Sequence, residues 1–176
     1  MEKDTHQTHE TDAEFITDCG GIQPEPLIPM YEEEIPFTDP TLAGNEHIEE
    51  LIHRFHHEQT PELFTAICLA IRKQMANDRH FIFPADITED KDGNTLFSFK
   101  TLDLEIGPAM VAFTSLEEKR KAPPSGAVSQ FIDSVLEPLM QMDGILGLLL
   151  NPWGESLYLG KEDIGMILTP GSERLI

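Results

Sequence analysis

The chain has 176 residues, with 32 acidic and 12 basic side chains and a formal net charge of −20. That length fits one domain with a tail, and that charge excludes a nucleic-acid binder, which needs a basic footprint to neutralise phosphates. It argues equally against docking on an anionic membrane surface.

Residues 1–40 hold 11 acids and one base, together with Pro24, Pro26, Pro29, Pro36 and Pro40. Low hydrophobicity with high charge cannot offset the entropy of ordering, so this segment is expected to be a disordered acidic arm. Its start, Met1-Glu2-Lys3-Asp4, has neither a signal-peptide nor a transit-peptide pattern, which makes the cytoplasm the expected compartment. Cys19, before Gly20-Gly21, reads as an exposed thiol, and a disulfide with the distant Cys68 is not expected. Within the arm, Ile22 to Tyr31 mixes proline with apolar residues, as a linker or as an extended strip that docks in a groove. Deleting residues 1–40 is expected to leave the melting temperature nearly unchanged.

Residues 41–176 are expected to form the single domain. Asn45 is placed to cap a first helix of roughly 12 residues with Ile48, Leu51, Ile52 and Phe55 on one face. Thr60-Pro61-Glu62 then reads as the N-cap and first turn of a second helix. Its apolar stripe is Phe64, Ile67, Cys68, Ile71 and Met75, with Cys68 a core thiol, and Asn77-Asp78 ends it. Phe81 and Phe83 share one face of a short strand limited by Pro84, and Asp92-Gly93 marks a turn. Leu96 to Leu104 alternates with Phe97 and Phe99 on one side, so a long hairpin stacking two Phe pairs is expected. Gly107-Pro108 breaks the chain before a third strand, Ala109 to Phe113.

Ser115-Leu116-Glu117-Glu118 has the pattern of a capping box, with Lys119-Arg120-Lys121 suited to the helix end. After a Pro-Pro loop, another helix is expected with Val128, Phe131, Ile132, Val135 and Leu139 inward, ended or kinked by Pro138. Asp143-Gly144 turns into strand Ile145–Leu150, the longest apolar run and far too short to span a bilayer. Asn151-Pro152-Trp153-Gly154 is a tight turn, and Ser156 to Leu159 returns antiparallel. Lys161-Glu162-Asp163 opens a last helix with Ile164, Ile167 and Leu168 inward. The fold class is α+β: a mostly antiparallel sheet of about five strands covered by helices.

Most chemistries are missing. Gly144-Ile145-Leu146-Gly147 lacks a third glycine and precedes a strand, so it is no dinucleotide loop. There is no Cys-x-x-Cys and no Gly-x-Ser-x-Gly elbow. Asp86, Asp90 and Asp92 before Gly93 invite a calcium loop, but that register puts Thr88 and Phe99 at the end ligand positions. Glu117 and Glu118 point apart on a helix, and His80 reads as a packing or surface residue. His53 and His57 stand one turn apart with Glu49 extending the row, beside His56. This is either an exposed polar face or a weak metal site.

Two loops concentrate defined chemistry: Ala112-Phe113-Thr114-Ser115, and Asn151-Pro152-Trp153-Gly154 with the sole tryptophan. Trp153 reads as an interface anchor or as a turn residue folded over the core, and Thr114 and Ser115 also suit helix capping. The strand end Phe113-Thr114-Ser115-Leu116-Glu117 and the run Gly147-Leu148-Leu149-Leu150-Asn151-Pro152-Trp153-Gly154-Glu155-Ser156-Leu157 resemble the N-terminal domain of the SseB (serine-sensitivity-enhancing) family. The likeness spans about Ile48 to Leu168. It implies a bacterial cytoplasmic α+β domain with no established enzyme activity and carries over no catalytic residue. The long acidic arm and the lack of a second domain depart from that family's pattern.

The reading is therefore a non-enzymatic protein-interaction or regulatory domain, with Phe113, Thr114, Ser115, Asn151, Pro152, Trp153 and Gly154 as interface candidates. The alternatives are a small-molecule domain, for instance for amino acids, and a metal-dependent hydrolase built on Glu49, His53 and His57. No catalytic residue, metal site or cofactor is assigned. The expected partner is an unidentified protein, with neither nucleic acid nor membrane, and exposed sheet edges leave a homodimer open. By segment, residues 41–62 hold five acids and one base, and residues 63–176 hold 16 acids and 10 bases, so the acidity belongs mostly to the arm and first helix.

Overall fold

The computed structural model describes residues 39–169. The acidic arm, its Ile22–Tyr31 strip and Cys19 lie outside the described residues, apart from Asp39 and Pro40. Those two belong to a 3₁₀ turn over Pro40–Leu42 that the Asp39 carboxylate caps by accepting from Thr41 N at 2.9 Å. Arg79 also donates to the Pro40 carbonyl at 2.8 Å.

Helices α1 (Asn45–Glu58) and α2 (Pro61–Ala76) come first. The N-cap of α1 is Gly44, whose φ of 94° suits glycine, rather than the expected Asn45. Asn45 is instead the first helical residue, buried, donating to the carbonyls of His80 and Thr114 at 2.9 Å each. Its side-chain oxygen accepts from Gln74, which ties α1 to α2. Thr60 caps α2 as expected, its hydroxyl accepting from Leu63 N, with Pro61 in the first turn. The stripe Ile67, Cys68, Ile71 is buried, and Phe64 meets Phe55 of α1 with ring centroids 5.8 Å apart.

Among the described residues seven strands, β1 (His80–Glu89), β2 (Thr95–Phe99), β3 (Thr101–Leu104), β4 (Gly107–Ala112), β5 (Ala127–Phe131), β6 (Gly147–Leu150) and β7 (Leu157–Gly160), form two sheets, ordered β2-β1-β5 and β3-β4-β6-β7. β1 runs straight through Pro84. Its first half pairs antiparallel with β5 and its second half with β2. Pro84 sits where the strand changes partner, a position that tolerates the missing N–H. The expected long strand Leu96–Leu104 divides at Lys100: β2 stays with β1, while β3 (Thr101–Leu104) joins β4 (Gly107–Ala112) in the other sheet. Lys100 N donates to the Pro84 carbonyl and Lys100 O accepts from Val111 N, which joins the two sheets. Gly107-Pro108 does not break the chain but opens β4.

The double Phe pair does not form. Phe97 lies opposite Ile87 on a projecting ribbon, where both are about half exposed, whereas Phe99 reaches back to Phe83 at 5.5 Å between ring centroids. Phe99→Ala is accordingly expected to cost about 2 kcal/mol and Phe97→Ala under about 1 kcal/mol, read as urea midpoints. Equal costs would contradict this packing.

The Ser115 hydroxyl caps α3 (Leu116–Lys121) by accepting from Glu118 N at 3.2 Å. The Glu118 carboxylate does not complete the capping box with Ser115 but turns to Lys121 Nζ at 2.5 Å. The helix expected around Val128 is a strand and a helix in succession, β5 and then α4 (Ile132–Leu139). Phe131 ends β5 half exposed, edge-on to the His80 ring at 4.3 Å, whereas Val128 packs half-buried against the core and Ile132, Val135, Leu136 and Leu139 are buried in it. β6 (Gly147–Leu150) pairs parallel with β4 and antiparallel with β7 (Leu157–Gly160). α5 (Lys161–Leu168) closes the domain, with Asp163 accepting from Gly160 N at 2.9 Å and Ile164 and Ile167 buried.

Strand alternation sorts the core into two faces. Phe81, Phe83, Met110, Ala112, Leu148 and Leu150 face the helices and make the main core. Ile82, Val111 and Phe113 point the other way and, with Leu42, make a smaller cluster flanked by Leu102, Leu116, Ala122 and Ala127. The α+β class is as expected, though the strands among the described residues number seven, in two sheets, and β4–β6 is parallel. No helix among the described residues is long and apolar enough to cross a membrane.

Cys68 is a free, buried thiol. Burial, and after it the nearby Asp163 carboxylate, pushes its pKa up to about 11. The folded chain then holds a proton that an unfolded thiol would release near its ordinary value of 9.0, so stability declines as pH rises from about 9 to about 11. In a Cys19→Ser chain, disulfide reagents should modify Cys68 roughly a hundredfold more slowly in buffer than in urea. Similar rates would show that the site is open.

Candidate functional site: a tryptophan-lined groove and the histidine face beside it

The two loops singled out in sequence lie side by side because β4 and β6 run parallel and end together. Asn151 N donates to the Ala112 carbonyl at 2.9 Å, one step beyond the last ladder pair. Phe113 continues past β4 to bridge Ile82 of β1, exchanging both backbone hydrogen bonds at 2.8 and 2.9 Å.

A buried polar network fixes this junction. Asn151 Oδ1 accepts from Thr114 N at 3.0 Å, and Asn151 Nδ2 donates to Thr114 Oγ1 at 2.9 Å. Thr114 Oγ1 donates in turn to Glu49 of α1 at 2.5 Å. Thr114 and Asn151 are 0% and 2% exposed, so neither side chain is presented to a partner; they hold the platform. Asn151 also has a φ of 50°, a left-handed conformation that asparagine tolerates better than most residues. The turn closes with Gly154 N donating to the Asn151 carbonyl at 3.0 Å.

Of the seven interface candidates, Phe113, Thr114 and Asn151 are buried, Ser115 is engaged as a cap and Pro152 is half-buried. Trp153 and Gly154 are exposed, Trp153 at 42%. The indole stacks on the buried Phe113 ring at 6.1 Å between centroids and 26° between planes. Trp153 thus packs on the fold through Phe113, as the reading of a turn residue folded over the core expects, and leaves part of its indole open.

That open face lines a groove of about 220 Å³ between the two sheets. Pro84, Leu102, Val111 and Phe113 form its floor, and Pro123, Pro124 and Trp153 its walls. Lys100 stands at the rim, paired with Asp86 on the outer side. Lys119 Nζ lies over the Phe113 ring, 6.0 Å from its centroid. Arg120 and Lys121 follow on the same short helix, and the pKa of Lys121 is raised, chiefly by its hydrogen bond to Glu118. Sequence reasoning missed Leu102 and the Pro123-Pro124 wall, because only the pairing of β3 with β4 brings the first to the tryptophan and only the pairing of β5 with β1 anchors the loop that carries the second.

A second recess, of about 380 Å³, lies between α1 and α2, where Gln74 and Arg79 already bond to Ala43, Asn45 and Pro40.

The outer face of α1 packs beside the same turn. His53 and His57 are exposed one turn apart, with ring centroids 4.7 Å apart. The third group beside them is Glu155, immediately after the Trp153-Gly154 turn, in place of the expected Glu49, which is committed to Thr114. His53 Nδ1 lies 2.9 Å from Glu155 Oε1, and His56 Nε2 lies 2.7 Å from the Ser156 carbonyl. His80, by contrast, meets Ser129 at 2.9 Å as a packing residue of the sheet.

No family model, no curated protein and no solved structure matches this chain.

Proposed function

We propose that this chain is a non-enzymatic peptide-binding module that takes an extended, proline-containing apolar segment with an acidic flank. The observation that carries the reading is the half-exposed Trp153, stacked on Phe113 at the mouth of an apolar groove. Aromatic-lined grooves suit preformed extended peptides, which lose little entropy on docking. Among the described residues Lys100, beside Asp86, is the one charged residue lining the groove, and Lys119 lies 6.0 Å from the Phe113 ring centroid; these two cations favour carboxylates beside the apolar strip. In this reading the chain is a cytoplasmic relative of the SseB N-terminal domain, regulating through contact rather than chemistry.

Trp153 is the only tryptophan, so its emission reports the groove directly. A free peptide PEPLIPMYEEE, the sequence of residues 24–34, has the stated chemistry and serves as the probe. Added to the full chain, it should change Trp153 emission saturably. Trp153→Ala should weaken its binding, followed by peptide anisotropy, by about 10- to 100-fold, as for an interface anchor. Changing the three terminal glutamates to lysine should weaken it about tenfold at low salt and less at high salt. No saturable binding, or equal affinity for Trp153→Ala, would remove the proposal.

A further inference from the structure

The groove leaves unexplained the histidine face of α1. We propose that His53, His57 and Glu155 form a site for a divalent transition-metal ion of the zinc type, which staples α1 to the turn after β6. Three features carry this. The ligand types suit zinc, since imidazole nitrogen and carboxylate oxygen are its ordinary donors outside thiolate sites. Their placement suits one ion. The two histidines share a helix face at a spacing of four residues, and one donor atom from each of the three side chains lies within 4.8 Å of the others.

Tetrahedral coordination with bonds of about 2.0–2.1 Å needs donors roughly 3.3 Å apart. All three side chains are exposed, so tip movements on the order of 1 Å reach that spacing without disturbing the core.

The third feature is support from the backbone. The helix and the turn already touch through His56 and the Ser156 carbonyl at 2.7 Å, and His53 already meets the Glu155 carboxylate. An ion at this point would replace a hydrogen bond between His53 and Glu155 with bonds to both and recruit His57 as well. Three protein ligands leave a fourth position for water. On an open face the expected role is to fix the turn rather than to enclose a substrate.

This inference does not depend on the peptide reading. The test uses the full chain purified without a histidine tag and freed of metal. Titration with Zn²⁺ by calorimetry should give one site per chain. His53→Ala, His57→Ala and Glu155→Gln should each weaken it at least roughly tenfold, while circular dichroism stays unchanged. Glu49→Gln should leave zinc affinity as it was, because that carboxylate belongs to the Thr114 network. Co²⁺ in place of zinc should give the visible absorption of a four- or five-coordinate ion, and the His57→Ala change should abolish it. Zinc affinity indifferent to His57→Ala and Glu155→Gln would overturn the site. So would loss of binding on His6→Ala/His9→Ala, which would place the ion on adventitious histidines elsewhere in the sequence.

Discussion

Replacing Asn151 by alanine is expected to destabilise the fold by about 3 kcal/mol, more than its position in a surface turn suggests. The side chain accepts from the buried Thr114 N and donates to Thr114 Oγ1; the hydroxyl keeps Glu49 as a partner when the amide is removed, but the backbone N–H does not. Removing the amide strands a buried backbone donor, which alone costs about 1–3 kcal/mol. The left-handed backbone at φ 50° adds roughly 1 kcal/mol for alanine. Asn151→Gly removes the same hydrogen bonds without the backbone strain and should cost about 1 kcal/mol less than alanine. Asn151→Asp keeps an acceptor for Thr114 N but loses the donor to Thr114 Oγ1. It also brings a second carboxylate near Glu49, so it should be destabilising as well. Urea denaturation of the three variants checks the order. An alanine cost below about 1 kcal/mol would mean that the network is not what holds the two loops together.

The same residues show what can be read from sequence. Helices α1, α2 and α5 follow from local signals: a 3.6-residue apolar period, and Thr60-Pro61 and Lys161-Glu162-Asp163 at the starts of α2 and α5. Those signals act within one or two turns, so their information sits in the neighbouring residues. Strand pairing does not. The alternation around Phe97 and Phe99 gives two faces, but nothing local says that β2 leaves β1 at Lys100, so that one phenylalanine is packed and the other half exposed. β5 was hidden because Val128, Phe131, Ile132 and Val135 also satisfy a helical spacing. What separates them is pairing with β1, which lies more than 40 residues away.

The candidate site divides along the same line. A lone tryptophan in an Asn-Pro-Trp-Gly turn is conspicuous in any sequence, and so Trp153 was identified. That Thr114 and Asn151 face each other rather than a partner, and that Glu155 rather than Glu49 joins the histidines, depends on the parallel β4–β6 register. The i to i+4 rule ranks Glu49 as the natural third ligand of a helical row. It cannot see that a threonine 65 residues away takes that carboxylate first.

Gly147→Ala tests the register itself, and it should cost about 3 kcal/mol, lowering the melting temperature by roughly 6–12 °C in a chain of this size. Gly147 pairs with Gly160 at the open end of the β6–β7 hairpin. A Cβ added there would lie 2.1 Å from the Leu159 carbonyl oxygen and 3.0 Å from the Tyr158 ring. The ring could turn away, but the carbonyl belongs to the partner strand, so relief requires β6 and β7 to separate. Serine and valine should be at least as costly as alanine. The damage is confined to the end of the hairpin far from the 151–154 turn. Gly147→Ala should therefore leave the native emission of Trp153 unchanged while lowering stability. Asn151→Ala, acting at the turn, should change both. If Gly147→Ala also shifted the tryptophan emission, the hairpin would be moving as one rigid unit, and the network of Thr114, Asn151 and Glu49 would be too weak to hold the groove against strain arriving along β6.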